Sequence, residues 1–174
     1  KSTDATTWVF KLRKNAKWSN GDLVTADDFV YGIRRFVDPK TASTYAATYG
    51  VFLLNGAAVV KGEKPPTDIG VKALDKLTLE VKTAFPVSFL PDVMSNNNLG
   101  PVHKASLEKN GKEWTKPGLL VSNGAYVLKD WQVNNRVVLE KNPQYWDAAN
   151  VQLTKVTYLP IEDGNADVKL YESG

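Results

Sequence analysis

Few residues of this 174-residue chain could do covalent chemistry. It has a single histidine, His103, and no cysteine. Without thiolates, and with one imidazole, a disulfide, a structural zinc site and a Cys nucleophile all lack their ligands. A catalytic histidine needs a nucleophile within hydrogen-bond reach. The sequence displays neither that nor an orienting group beside Pro101-Val102-His103, so His103 reads as structural or surface-bound. Ser106 and Lys109 match the S-x-x-K pattern of serine acyltransferases, but the partner motifs S-D-N and K-T-G are missing. Two carboxylate pairs, Asp27-Asp28 and Glu162-Asp163, fall where helices should start. The first is better explained by helix capping than by acid–base work. No glycine-rich phosphate loop occurs. An enzyme is not expected.

The aromatic residues offer recognition instead. There are five Trp, seven Tyr and six Phe. Trp8, Trp18, Phe29 and Phe36 belong to one strand–turn–helix pattern and read as core. Tyr45 and Tyr49 lie among small residues without an amphipathic stripe. A Tyr there suits a ligand groove, because it offers an apolar face and a hydroxyl, and it equally suits packing at a domain surface. Trp114, Tyr145 and Trp146 fall on loops and are expected to pin those loops to a core.

The elements that must hold these residues begin with the stretch from Thr7 to Pro39. Trp8, Phe10 and Leu12 alternate with Val9, Lys11 and Arg13, the period of a half-buried strand. Thr25 and Asp28 form an Asp variant of the capping box, with Val24 and Phe29 as a hydrophobic staple. Phe29, Val30, Ile33, Phe36 and Val37 make one apolar stripe, and Asp38-Pro39 ends the helix. Thr41 or Ser43 could cap a short helix before Leu54, and a second is expected at Ala57 to Lys61, closed by Gly62. Val71 to Leu74 and Leu77 to Val81 read as a hairpin turned by Asp75-Lys76. Pro86 to Met94 reads as a short buried helix that Pro91 would break or kink.

Asn96-Asn97-Asn98 and Gly100-Pro101 mark the clearest boundary. Beyond it the pattern predicts a polar helix over Lys104 to Asn110 and a hairpin of Ala125 to Trp131 with Arg136 to Lys141. A strand over Val151 to Ile161 and a helix from Asn165 to Glu172 follow. The chain opens close to a strand and stops inside a helix pattern, so a piece of a longer protein is expected.

The formal net charge of +3 is spread without a run or stripe of basic residues, which argues against nucleic acid as a partner. Apolar runs are far shorter than a membrane span.

The run WVFKLRKNAKWSNGDLVTADDFVYGIRRFVDP resembles the signature region of the solute-binding proteins of oligopeptide and dipeptide ABC importers. The blocks DPKTASTYA, GVKALDKLTLEV, EWTKPGLLVSNGAYVLKDW, VLEKNPQYWD and KVTYLPI are similar to successive blocks of that family, in order. The resemblance implies an α+β fold taken from a periplasmic-binding-protein framework. Residues 1–102 would form the small added domain, and residues 103–174 a partial segment of the first α/β ligand-binding lobe. It implies capture of an oligopeptide ligand by lobe closure, with delivery to the permease subunits of an ABC importer. The expected location is the periplasm or the outer face of the cytoplasmic membrane, and no cofactor is implied. The peptide would pair through its backbone like an added strand. One ligand-facing position carries over, Tyr45 in DPKTASTYA, where Ser43-Thr44-Tyr45 stands in place of the family's frequent S-P-Y. Other cargoes of the same framework (nickel, heme or a sugar), a non-catalytic interaction module and a hydrolase remain as alternatives.

Overall fold

A computed structural model describes residues 2, 4–161 and 164–173. Its first half is built on the expected strand–turn–helix unit. Strand β1 (Thr7–Lys11) pairs antiparallel with β3 (Thr78–Lys82), which also pairs antiparallel with β2 (Val71–Asp75), giving the order β1-β3-β2. The register sets Trp8 opposite Val81 and Phe10 opposite Leu79. Because side chains alternate along a strand, one sheet face is apolar, and helix α1 (Ala26–Val37) packs onto it.

Asp28 fixes the start of that helix. Its Oδ2 accepts hydrogen bonds from the Thr25 backbone N–H at 2.7 Å, the Thr25 hydroxyl at 3.0 Å and the Trp18 indole N–H at 3.3 Å. The helix ends at Asp38, whose ψ of 121° is the extended conformation that Pro39 demands. The Asp38 carboxylate then accepts from the Lys40 N–H at 2.9 Å, capping a tight 3-10 turn over Pro39–Thr41. Ile33 and Val37 are fully buried with Leu53, Val59, Val81, Val87, Leu90 and Leu99. Each such aliphatic side chain is worth roughly 1.5–3 kcal/mol relative to exposure.

The hairpin turn works through Asp75. One carboxylate oxygen accepts from the Leu77 N–H at 2.8 Å and the other from the Thr78 hydroxyl at 2.7 Å. The Thr78 hydroxyl first, then the Leu77 N–H, hold its pKa below the ordinary carboxylate value.

Two short helices, α2 (Ala46–Gly50) and α3 (Gly56–Val60), cover the next stretch. Neither Thr41 nor Ser43 caps α2 through its side chain. Tyr45 holds the cap position, and Ser43 contributes only its carbonyl, 3.2 Å from the Ala46 nitrogen. Helix α4 (Leu90–Met94) contains Pro91 without a break, because Pro91 falls in the first turn, where no backbone donor is needed. The chain then returns to α1. A Cβ on Gly32 would lie 2.5 Å from the Gly100 carbonyl oxygen, so this crossing requires glycine.

Helix α5 (Lys104–Asn110) follows, and then a second sheet of β4 (Tyr126–Gln132), β5 (Arg136–Lys141) and β6 (Lys155–Tyr158), all antiparallel, in the order β4-β5-β6. Asn134 takes a left-handed φ of 58° in the hairpin turn, a conformation Asn tolerates. Strand β6 is shorter than the expected Val151 to Ile161. The Lys141 N–H and ammonium hold the Thr154 and Val151 carbonyls, so the chain before Lys155 curls against β5 instead of running straight along it. Helix α6 spans Gly164–Glu172, and the Glu162-Asp163 pair lies outside the described residues. Of the residues in β4, β5 and β6, only Val138 is buried. The main hydrophobic cluster lies wholly between Trp8 and Leu99.

Candidate functional site

Three places could carry function: the surface at Tyr45, a polar cavity around His103, and a cleft where the two sheets' surroundings meet.

Tyr45 is 55% exposed at the start of α2. Its ring centre lies 6.4 Å from that of Tyr49, in a tilted pair. The Tyr49 hydroxyl accepts a hydrogen bond from the Asn96 amide at 2.8 Å. Tyr49 is thereby anchored, and Tyr45 lies exposed beside it. The Ala42 backbone just before is left-handed, at φ 52°. The turn that presents Tyr45 therefore comes from the Asp38-Pro39 cap and Ala42, and it forms with Thr44 in the place of proline.

The polar cavity contains His103, Ser106, Lys109 and Asp22. His103 is buried, its ring edge-to-face with Trp18 at 5.3 Å. Trp18 is thus buried as expected, but against His103 and outside the main hydrophobic cluster. The imidazole Nδ1 accepts from the Ser106 backbone N–H at 3.1 Å, so His103 is the N-cap of α5. The ring proton therefore sits on Nε2, 3.1 Å from Asp22 Oδ2. The Asn20 amide foremost, and then His103, hold the Asp22 pKa below its ordinary value.

An acid, an imidazole and a serine thus stand in a row, which the sequence did not announce. Their hydrogen bonds are nevertheless wrong for nucleophilic catalysis. The Nδ1 lone pair is filled by a backbone N–H, and the Ser106 hydroxyl donates to the Leu119 carbonyl at 2.9 Å. No base faces the hydroxyl proton. The S-x-x-K match is a capped helix end and not a reaction centre, although Ser106 is neither far from a histidine nor outside a cavity. Among the described residues no group of three or more His, Cys, Asp or Glu side chains could hold a metal.

A cleft of about 550 Å³ opens between the β1–α1 unit and the loops after β5 and before β4. Phe10, Leu12, Val24, Phe29 and Met94 line one side, and Asn123, Gly124, Tyr145 and Trp146 the other. The Arg13 guanidinium carbon lies 4.1 Å from the Trp146 ring centre. Arg35 stands 5.8 Å from the ring centre of Trp114 in the same cation–π manner. These two tryptophans pin their loops to arginines of the first half, not to an apolar core as expected. Ser19 and Ser122 add a direct link: the Ser19 N–H donates to the Ser122 carbonyl at 2.7 Å, and the Ser122 N–H to the Ser19 hydroxyl at 3.2 Å. Tyr45 does not line this cleft. Arg13 was not singled out by sequence reasoning; its only signal was its place at the end of the W-x-F-x-L-R strand.

A family model described as "Bacterial extracellular solute-binding proteins, family 5 Middle" matches residues 1–174. The chain belongs to the family 5 solute-binding proteins. Among family 5 relatives, the periplasmic oligopeptide-binding protein OppA of Escherichia coli is 50% identical over 172 residues, covering 98% of this chain and 32% of the relative. The solved structure of the Escherichia coli murein tripeptide binding protein MppA superposes with a TM-score of 0.97 at 45% identity, covering 100% of this chain and 34% of that one. Haemophilus influenzae OppA, solved in complex with the peptide RPPGFSPFR, superposes with a TM-score of 0.95 at 39% identity, over 99% of this chain and 34% of that one. The chain thus spans about a third of the length of the family 5 relatives it matches. The α+β fold is that of the corresponding third of a periplasmic binding protein. Among the described residues no helix is long and apolar enough to cross a membrane.

Proposed function

We propose that this chain is the part of a periplasmic oligopeptide receptor that scaffolds one wall of the peptide cleft, and that the whole receptor feeds an ABC importer. The observation that carries the reading is close structural similarity, over nearly the whole chain, to a relative solved with a peptide bound. A TM-score of 0.95 links the chain to that protein, and two curated relatives at 50% identity are named as oligopeptide binders. Binding without covalent chemistry agrees with a site where the one serine–histidine pair has no free base.

Residues 1–102 act as the small added domain and residues 103–174 as a segment of the first ligand-binding lobe. The main hydrophobic cluster supports this division, since it ends at Leu99. The loop over Trp18 to Asp22 crosses the division, since it packs on His103 and Ser122.

Tyr45 is the peptide-facing residue of the small domain. Its exposure and its anchored neighbour Tyr49 support that role. An extended peptide offers backbone groups that a phenol can meet whatever the side chains. The test is a chimera in which this chain replaces the matching third of Escherichia coli OppA. Titration with tripeptides and tetrapeptides, with and without Tyr45→Ala, measures the contribution of the phenol. Unchanged affinity in the variant removes Tyr45 from the site.

A further inference from the structure

The 550 Å³ cleft at Arg13 and Trp146 has a chemistry of its own. Its volume is that of a small-molecule site. Its walls are apolar, and every charged residue lining it is a cation: Lys11, Arg13 and Lys17. Lys11 is engaged, its ammonium 2.6 Å from the Thr78 hydroxyl and 4.0 Å from Asp75. Arg13 and Lys17 have no carboxylate partner among the described residues. The guanidinium lies over Trp146 at 4.1 Å, and its five N–H donors have no hydrogen-bond partner among the described residues, leaving them open to a ligand in place of water.

We propose that this cleft is a second binding site, for a small apolar molecule bearing one anionic group, such as an aromatic carboxylate. The apolar body displaces water from the wall formed by Phe10, Val24 and Phe29, and the anion meets the Arg13 fork with Lys17 beside it. A zwitterionic peptide is a poorer occupant than a simple carboxylate, because no carboxylate among the residues lining the cleft meets its ammonium. The site is therefore separate from the peptide surface at Tyr45, and it stands whether or not the peptide reading holds.

The test compares 2-naphthoate with 2-naphthalenemethanol, which has the same bicycle without the charge, by NMR titration of the chain. Naphthoate is expected to bind at least ten-fold more tightly and to shift the Trp146 indole resonance. Arg13→Gln should erase that ten-fold preference, and Lys17→Gln should reduce it several-fold. Lys17 is an exposed side chain, so its variant keeps the fold even if Arg13→Gln loosens the Trp146 loop. Equal binding of the two ligands, or naphthoate binding unchanged in Arg13→Gln, overturns the proposal. So does naphthoate binding that vanishes once the chain is set into Escherichia coli OppA, since the rest of the polypeptide would then cover the cleft.

Discussion

The Arg13 guanidinium lies over the Trp146 ring, 4.1 Å from its centre, and so joins the end of the first strand to the loop after β5. Among the described residues the main hydrophobic cluster stops at Leu99, so it does not extend into the second half. Contacts between the two halves include this pair, Arg35 over Trp114, Lys104 over Tyr31, Ser19 with Ser122, and Trp18 and Asp22 with His103. A cation–π contact at a partly exposed site contributes about 0.5–1 kcal/mol. Arg13→Ala and Trp146→Ala should therefore show a coupling of about that size in a double-mutant cycle read by denaturant unfolding. Strictly additive effects would show that the contact contributes nothing.

Gly32 is a steric hinge point between α1 and the turn at Gly100. An alanine there places its Cβ 2.5 Å from a backbone oxygen and 3.2 Å from the Val102 nitrogen, neither of which can swing aside. Gly32→Ala should destabilise the chain by about 1–3 kcal/mol, although alanine is the better helix former. A gain in the urea midpoint would mean the two segments are free to part.

His103 stabilises α5 by accepting the Ser106 N–H. His103→Ala should cost about 2 kcal/mol through loss of a cap and of ring packing on Trp18. His103→Asn, which keeps an acceptor at the cap, should recover about half of that. Equal losses in the two variants would assign the whole effect to packing.

Acid should loosen the β2–β3 hairpin through Asp75. Its pKa is lowered in the folded state by the Thr78 hydroxyl and the Leu77 N–H. A carboxylate with a lowered folded pKa contributes stability that is complete above its unfolded value, about 4, and is lost as pH falls through the folded value. Stability should thus decline below about pH 4, and Asp75→Asn should flatten that part of the profile when unfolding is followed against pH. An unchanged acid limb in the variant would place the titration elsewhere. Asp4, lowered by the Thr6 and Thr7 N–H groups, is the next candidate.

Local signals made most elements legible in the sequence. The alternation from Trp8 to Leu12, the Thr25–Asp28 box, Asp38-Pro39 and the Asp75 turn each act within a few residues, and each behaves as its chemistry dictates. What escaped is long-range. The cap role of His103 depends on Ser106 and Asp22, and Asp22 is remote in sequence. The Arg13–Trp146 contact spans most of the chain, and no periodicity encodes such a pair. The expected break at Pro91 fails for a simpler reason. The helix begins at Leu90, so the proline lies in its first turn, and an uncertainty of one or two residues in a helix start changes a breaker into an initiator. The local pattern offers Tyr45 and Tyr49 alike, and only the family resemblance favours Tyr45. Nothing in its local pattern separates a ligand-facing phenol from an exposed one.

The most direct measurement is calorimetric titration of a tripeptide into the Escherichia coli OppA chimera and into the chain by itself. The chimera should bind the peptide with micromolar or tighter affinity, because this third shares its relatives' fold over the whole matched length. Binding should be at least a hundred-fold weaker, or absent, for the chain alone, which spans about a third of such a receptor. A folded chimera that binds no peptide, or a chain that binds peptide as tightly as the chimera, would contradict the proposed function.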